Sequence, residues 1–113
     1  WYWGFKQTFR KTYKDFNLQI VMGAFKFPNY GKPHIEQDVK AAITSIVVNN
    51  PTDGQIMTLF WQQDGTGHAI TLPAFFLGVT APSTAANKHS IQQIYYNAAD
   101  TNWYGVAAGQ TGL

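Results

Sequence analysis

Residues 54–73 read GQIMTLFWQQDGTGHAITLP, and this stretch decides the fold class. Ile56, Thr58, Phe60 and Gln62 alternate with Met57, Leu59 and Trp61, so successive side chains fall on opposite faces of an extended strand. Asp64-Gly65-Thr66-Gly67 then supplies a carboxylate and two glycines for a reversal, and alternation resumes from His68 to Leu72. The pattern predicts a β-hairpin. A second hairpin is predicted at 90–105, SIQQIYYNAADTNWYG, with an Ile- and Tyr-rich strand, a turn by composition across 97–102 and a short return at Trp103-Tyr104.

Upstream, 43–49 is a strand by its Ile and Val content, followed by a turn at Asn49-Asn50-Pro51-Thr52-Asp53-Gly54, where proline presets φ and glycine accepts a positive one. Residues 36–42 fit one helical turn or a strand. Alternation over 18–27 predicts a single strand that stops at Pro28, with Pro28 and Pro33 bracketing a loop. Downstream, 74–79 reads as a short strand and 80–87, around Pro82, as a surface loop. Six to eight strands with turns every eight to twelve residues predict an all-β fold, an antiparallel β-sandwich or jelly-roll-like domain over 17–113. Residues 1–16 form an extended or mixed N-terminal arm, in which Trp1, Trp3, Phe5, Phe9 and Tyr13 alternate with basic Arg10 and Lys11. Its aromatic groups need a cover, which a neighbouring subunit supplies. A start at Trp1 without methionine leads to the expectation that the chain continues a longer upstream one.

Aromatic residues make up 16% of the 113 residues and charged ones 12%, against about 25% charged in average proteins. Such a surface is largely amide, hydroxyl and glycine with some aromatic groups facing a partner, which suits an assembly component or a glycan reader. The net charge of +2 is too small to argue for nucleic acid. It is unevenly placed: seven basic and three acidic groups give +4 over 1–50, while one against three gives −2 over 51–113. There is no cysteine, no apolar run near the roughly twenty residues of a membrane helix, and no signal-peptide pattern.

Catalysis finds no support in the residue pattern. His34, His68 and His89 stand 34 and 21 residues apart with no local ligand pair, so no metal or other cofactor is expected. The glycines after Asp64 lack the lysine and the following helix of a phosphate loop. Asp53, Asp64 and Asp100 sit in turns where an Asx role suffices, and Ser45, Ser83 and Ser90 have no nucleophile-elbow context. Aromatic pairs are the remaining lead. Phe60 and Trp61, Tyr95 and Tyr96, and Trp103 and Tyr104 each place one ring inside and one outside. Trp61, Gln63, Tyr96, Asn102 and Trp103 form a candidate glycan surface, because flat rings stack on C–H faces while amides meet hydroxyls. The competing reading makes each of them core or subunit contact.

The order of a strand, Asp53-Gly54, a strand, Gln63-Asp64-Gly65-Thr66-Gly67, a segment ending Leu72-Pro73, an Ala/Thr-rich loop, a strand and Asn102-Trp103-Tyr104-Gly105 covers about 38–108. It resembles a β-domain of tailed-bacteriophage virion proteins, above all fibre and tail-tip chains. The resemblance implies a virion protein that assembles as a homo-oligomer, a trimer in a fibre, with loops that face a host surface glycan or other virion proteins; the residue pattern adds that it is no enzyme. The arm, which the resemblance does not cover, is expected to link the domain to the particle through Trp1, Trp3, Phe5, Phe9, Arg10, Lys11 and Tyr13. A capsid decoration or head-fibre protein, and a carbohydrate-binding module of a secreted or cell-surface protein, are the alternatives.

Overall fold

The computed structural model describes residues 16–30 and 33–113, in which eight strands and no helix occur. The strands are β1 (Asn17–Met22), β2 (Phe25–Tyr30), β3 (His34–Val39), β4 (Ile43–Asn49), β5 (Ile56–Gln63), β6 (Phe76–Leu77), β7 (His89–Asn97) and β8 (Asn102–Gly105). They form a three-stranded sheet in the order β2-β1-β4 and a five-stranded sheet in the order β3-β5-β7-β8-β6. The fold is an all-β sandwich, as its alternation predicted. Its larger sheet is mixed instead of wholly antiparallel, because β3 runs parallel to β5 and β6 parallel to β8.

Alternation fixes which face is buried. Leu18, Ile20 and Met22 of β1 and Ile43 and Ile46 of β4 meet Ile35, Val39, Met57, Leu59, Trp61, Ile94 and Trp103 of the opposing sheet in one core. A one-residue slip of β5 would turn Met57, Leu59 and Trp61 outward, forfeiting roughly 5–9 kcal/mol at about 1.5–3 kcal/mol per large side chain. That loss rivals the whole stability of an ordinary domain. The register is therefore set by side-chain burial more than by any single turn.

The second predicted hairpin is present, with β7 and β8 paired from Ile94↔Gly105 to Asn97↔Asn102. The first is not. β5 takes β7 as its antiparallel neighbour, from Ile56↔Tyr95 to Gln62↔His89, while 68–72 contributes one isolated parallel bridge, Ile43↔Ile70. Seven paired positions along β7 outcompete a five-residue segment that ends at Pro73, and the loop after Asp64 carries the chain across to β4 instead of back along β5. The single strand predicted at 18–27 is likewise a hairpin: β1 and β2 meet at Met22↔Phe25, and Gly23 takes φ 60°, a value that costs a residue without Cβ nothing. Pro28 lies inside β2, where an outer strand tolerates its missing donor. Residues 36–39 are strand, not a helical turn.

Beyond Gly105 the chain stays beside β7. Gln110 and Ile91 exchange backbone hydrogen bonds of 2.8 and 2.9 Å, and Leu113 and His89 exchange two of 3.0 Å. Phe16, assigned to the arm from sequence, is buried with its ring 6.3 Å from Trp103.

Candidate functional site

One end of the sandwich gathers two turns and a row of inward aromatic groups. Tyr96 donates its backbone N–H to Gln55 at 2.9 Å, Tyr96 pairs with Trp103 across β7 and β8, and Trp103 pairs with Phe76 across β8 and β6. The rings of Tyr96 and Trp103 lie 5.0 Å apart at 45°, a tilted arrangement that aromatic quadrupoles favour. Above this row, Val48, Pro51, Phe75, Tyr96, Thr101 and Trp103 line a cleft of about 190 Å³. That is below the roughly 300–1,000 Å³ of sites for drug-sized ligands, so it admits one small group and not a whole chain.

The rim is held by short-range hydrogen bonds. Asp53 Oδ1 accepts the Ala98 N–H at 2.9 Å and ties the turn before β5 to the turn before β8. Gln55 Oε1 accepts the Thr52 N–H at 2.9 Å, but Gln55 Nε2 is buried and has no partner among the described residues. Thr101 occupies φ 58°, a left-handed conformation that costs a β-branched residue about 1–2 kcal/mol. Its hydroxyl donates to the Asp100 carbonyl at 2.6 Å, Asn102 N–H donates to Asp100 Oδ1 at 3.1 Å, and the Tyr104 hydroxyl donates to Asp100 Oδ2. The bond from Tyr104 holds the Asp100 carboxyl below its ordinary range, and the same bond raises the Tyr104 phenol.

The opposite end is a structural clamp. Asp64 Oδ1 accepts from Thr66 N–H at 2.9 Å and Gly67 N–H at 3.1 Å, and Oδ2 lies 3.0 Å from His68 Nε2. The Thr66 bond first, then the His68 bond, lowers the Asp64 carboxyl. Gln63 completes the clamp: Nε2 donates to the carbonyls of His68 and Ser83 at 2.8 and 2.9 Å, and Oε1 accepts His68 N–H at 2.9 Å. A Cβ on Gly67 would overlap the Thr84 carbonyl oxygen, so this glycine serves loop-to-loop packing.

The five candidate glycan residues therefore do not make one surface. Trp61 and Gln63 belong to the clamp end, and Trp61 is paired with Ser90, six positions along β7 from Tyr96 and so about 20 Å away. Tyr96, Asn102 and Trp103 share the cleft end, but Tyr96 and Trp103 are buried and show no flat face to solvent. The structure corrects the surface for a physical reason: of each neighbouring aromatic pair, the ring assigned outward is the one that fills the core. The outward rings are Phe60, Tyr95 and Tyr104. Trp1, Trp3, Phe5, Phe9, Arg10, Lys11 and Tyr13 lie outside the described residues.

Among the described residues no three His, Asp or Glu side chains group as metal ligands, and no helix is long and apolar enough to cross a membrane. What these residues offer is a small aromatic cleft, two clamped loop ends and an exposed apolar sheet face, on an all-β sandwich. The class is a small all-β sandwich domain. The chain belongs to the family of phage tail fibre C-terminal domains: the family model described as "Putative phage tail fibre C-terminal domain" matches residues 29–101, nearly two-thirds of its length. No curated protein and no solved structure matches the chain. Membership gives it a structural role in the phage tail, in association with other virion proteins. The match overlaps the 38–108 span of the resemblance and begins earlier, within β2.

Proposed function

We propose that this domain attaches the tail fibre to the host surface, and that the cleft between the turns at 50–54 and 98–101 receives a small exocyclic group of a surface glycan, such as an acetamido or hydroxymethyl group. The observation that carries the reading is the aromatic lining of the cleft, Phe75, Tyr96 and Trp103, with Val48, Pro51 and Thr101 around it. Aromatic rings with a few polar neighbours are what a small-molecule subsite uses. Strain at Thr101 on the cleft rim supports the same reading, since such conformations cluster at ligand clamps.

A contact of this size binds weakly, on the order of millimolar. Repetition around a fibre axis, as a homotrimer, raises the effective affinity by about 10²–10⁴ without catalysis. The arm at 1–16 links the domain to its assembly. Titration of purified bacterial surface polysaccharides, read by tryptophan fluorescence and calorimetry, tests the site. Binding is expected for the native chain and for Trp61→Phe at the far end, with loss in Phe75→Ala, which removes a ring from the cleft. A polysaccharide that binds Phe75→Ala as well as the native chain would remove the cleft from the interaction, and shortening of the polymer would overturn the non-enzymatic reading.

A further inference from the structure

The outer face of the five-stranded sheet carries one apolar row among polar ones. Its register lines up Ile56, Tyr95, Tyr104 and Leu77 across β5, β7, β8 and β6. Ile56 is 51% exposed, Tyr95 40% and Leu77 39%; Ile91, 36% exposed, stands two rows further along β7, beyond the hydrogen-bonded Thr58–Gln93 pair. An exposed row of large apolar side chains across four strands marks a surface for a partner.

Charge says what covers it. The outward positions of the five strands carry Glu36 and Asp38 and no lysine or arginine; the adjoining loops carry Asp53 and Asp100 against Lys40 and Lys88, so the face stays net acidic through its strand positions. Residues 1–15 hold Lys6, Arg10, Lys11 and Lys14 against Asp15, net +3, whereas 16–113 hold four basic and five acidic groups, net −1. The same fifteen residues supply Trp1, Tyr2, Trp3, Phe5, Phe9 and Tyr13. An aromatic, basic segment and an aromatic, acidic face are complementary in both respects. Fifteen extended residues reach about 50 Å, and five strands span only about 24 Å, so length is no obstacle.

Phe16, where the segment joins the domain, precedes β1 and is buried inside the sandwich against Trp103. The segment thus starts on the inner side of the five-stranded sheet, while the acidic apolar face is on its outer side. We infer that residues 1–15 of one copy seat on the outer face of the five-stranded sheet of a second copy. This rests on the arm acting in assembly, and it adds the surface that receives it.

The native chain has no cysteine, which allows a direct test with the full chain. Phe9→Cys and Tyr95→Cys single variants are mixed and oxidised, with Val47→Cys, exposed on the other sheet, replacing Tyr95→Cys as the control. The expected result is a disulfide-linked dimer in the first mixture and none above background in the control. In light scattering, Glu36→Lys combined with Asp38→Lys should weaken association roughly tenfold, and a compensating Arg10→Glu with Lys11→Glu should restore it. Equal cross-linking to both sheets, or cross-linking only within a single chain carrying both cysteines, would overturn the inference. If deletion of 1–15 leaves the oligomer intact, the assembly role of the arm fails as well. If the oligomer needs 1–15 yet Tyr95→Cys does not cross-link, only the assignment of the face fails.

Discussion

Gln63→Glu separates a structural clamp from a ligand contact with almost no change of shape. The substitution keeps the oxygen that accepts from His68 N–H, and it replaces Nε2 with an oxygen facing the carbonyls of His68 and Ser83, 2.8 and 2.9 Å away in the native chain. An ionised carboxylate there is buried and repelled by both carbonyls, so the group folds in its protonated form, with one O–H for two acceptors. Holding a glutamic acid neutral at pH 7 costs about 1.4 kcal/mol for each of the roughly 2.7 pH units above its ordinary pKa, or about 3.7 kcal/mol. For a domain of this size that lowers Tm by about 15 °C. The sign follows from linkage: the folded-state pKa of the new carboxyl is raised, so its penalty is absent below about pH 4 and grows as the pH rises towards the folded value. Thermal melts of both proteins from pH 3.5 to 8 check this, each pH compared with the native chain so that the acid loss of the Asp64 contribution cancels. Parallel melting curves across that range would refute the clamp and return Gln63 to the list of surface amides.

Two further outcomes follow from local geometry. A Cβ on Gly105 would overlap the Gly78 carbonyl oxygen and lie 2.8 Å from its carbon, so Gly105→Ala should part β6 from β8 and lower the urea-unfolding free energy by about 1–3 kcal/mol or more, whereas Gly78→Ala, in open space at φ 63°, should lose only about 1 kcal/mol; the reverse order would mean that β6 does not pack on β8 as described. The Asp100–Tyr104 bond should give the native chain a stability advantage over Tyr104→Phe that is steady between about pH 5 and 9. That advantage falls as acid protonates Asp100 below its lowered pKa, and it falls again as alkali ionises Tyr104 above its raised one. A pH-independent difference in urea unfolding would dismiss the bond.

The strands were legible where burial is one-sided. β4 and the β7–β8 hairpin follow directly from Ile, Val and Tyr content and from the Asn97 to Asn102 turn, because these are local signals. The pairing of β5 was not legible, because Asp64-Gly65-Thr66-Gly67 is a real turn that leads elsewhere. Its carboxylate is committed to Thr66, Gly67 and His68, and the competition between 68–72 and β7 for the edge of β5 is settled by distant residues. The parallel β3–β5 and β6–β8 pairs are invisible to any local pattern for the same reason.

The outward aromatic groups were misassigned because β5, β7 and β8 each carry aromatic groups on both faces. Along β7 the inward set is Ser90, Gln92, Ile94 and Tyr96, and the outward set is His89, Ile91, Gln93, Tyr95 and Asn97. By residue type the two sets are nearly alike, so type alone does not tell the buried face. The inward glutamines pass because their side chains are fully employed: Gln92 Oε1 accepts from Thr80 N–H at 3.1 Å, and Nε2 donates to the carbonyls of Gln93 and Ala107 at 2.7 and 3.2 Å. A sheet that buries bonded amides while presenting Ile56, Ile91 and Tyr95 to water gains nothing from that choice as a monomer. Burying Tyr95 and its neighbours beneath a second copy would recover about 1.5–3 kcal/mol for each large side chain. The row of Ile56, Tyr95, Tyr104 and Leu77, set by the register of four strands, is therefore the part of this face that a second copy would cover.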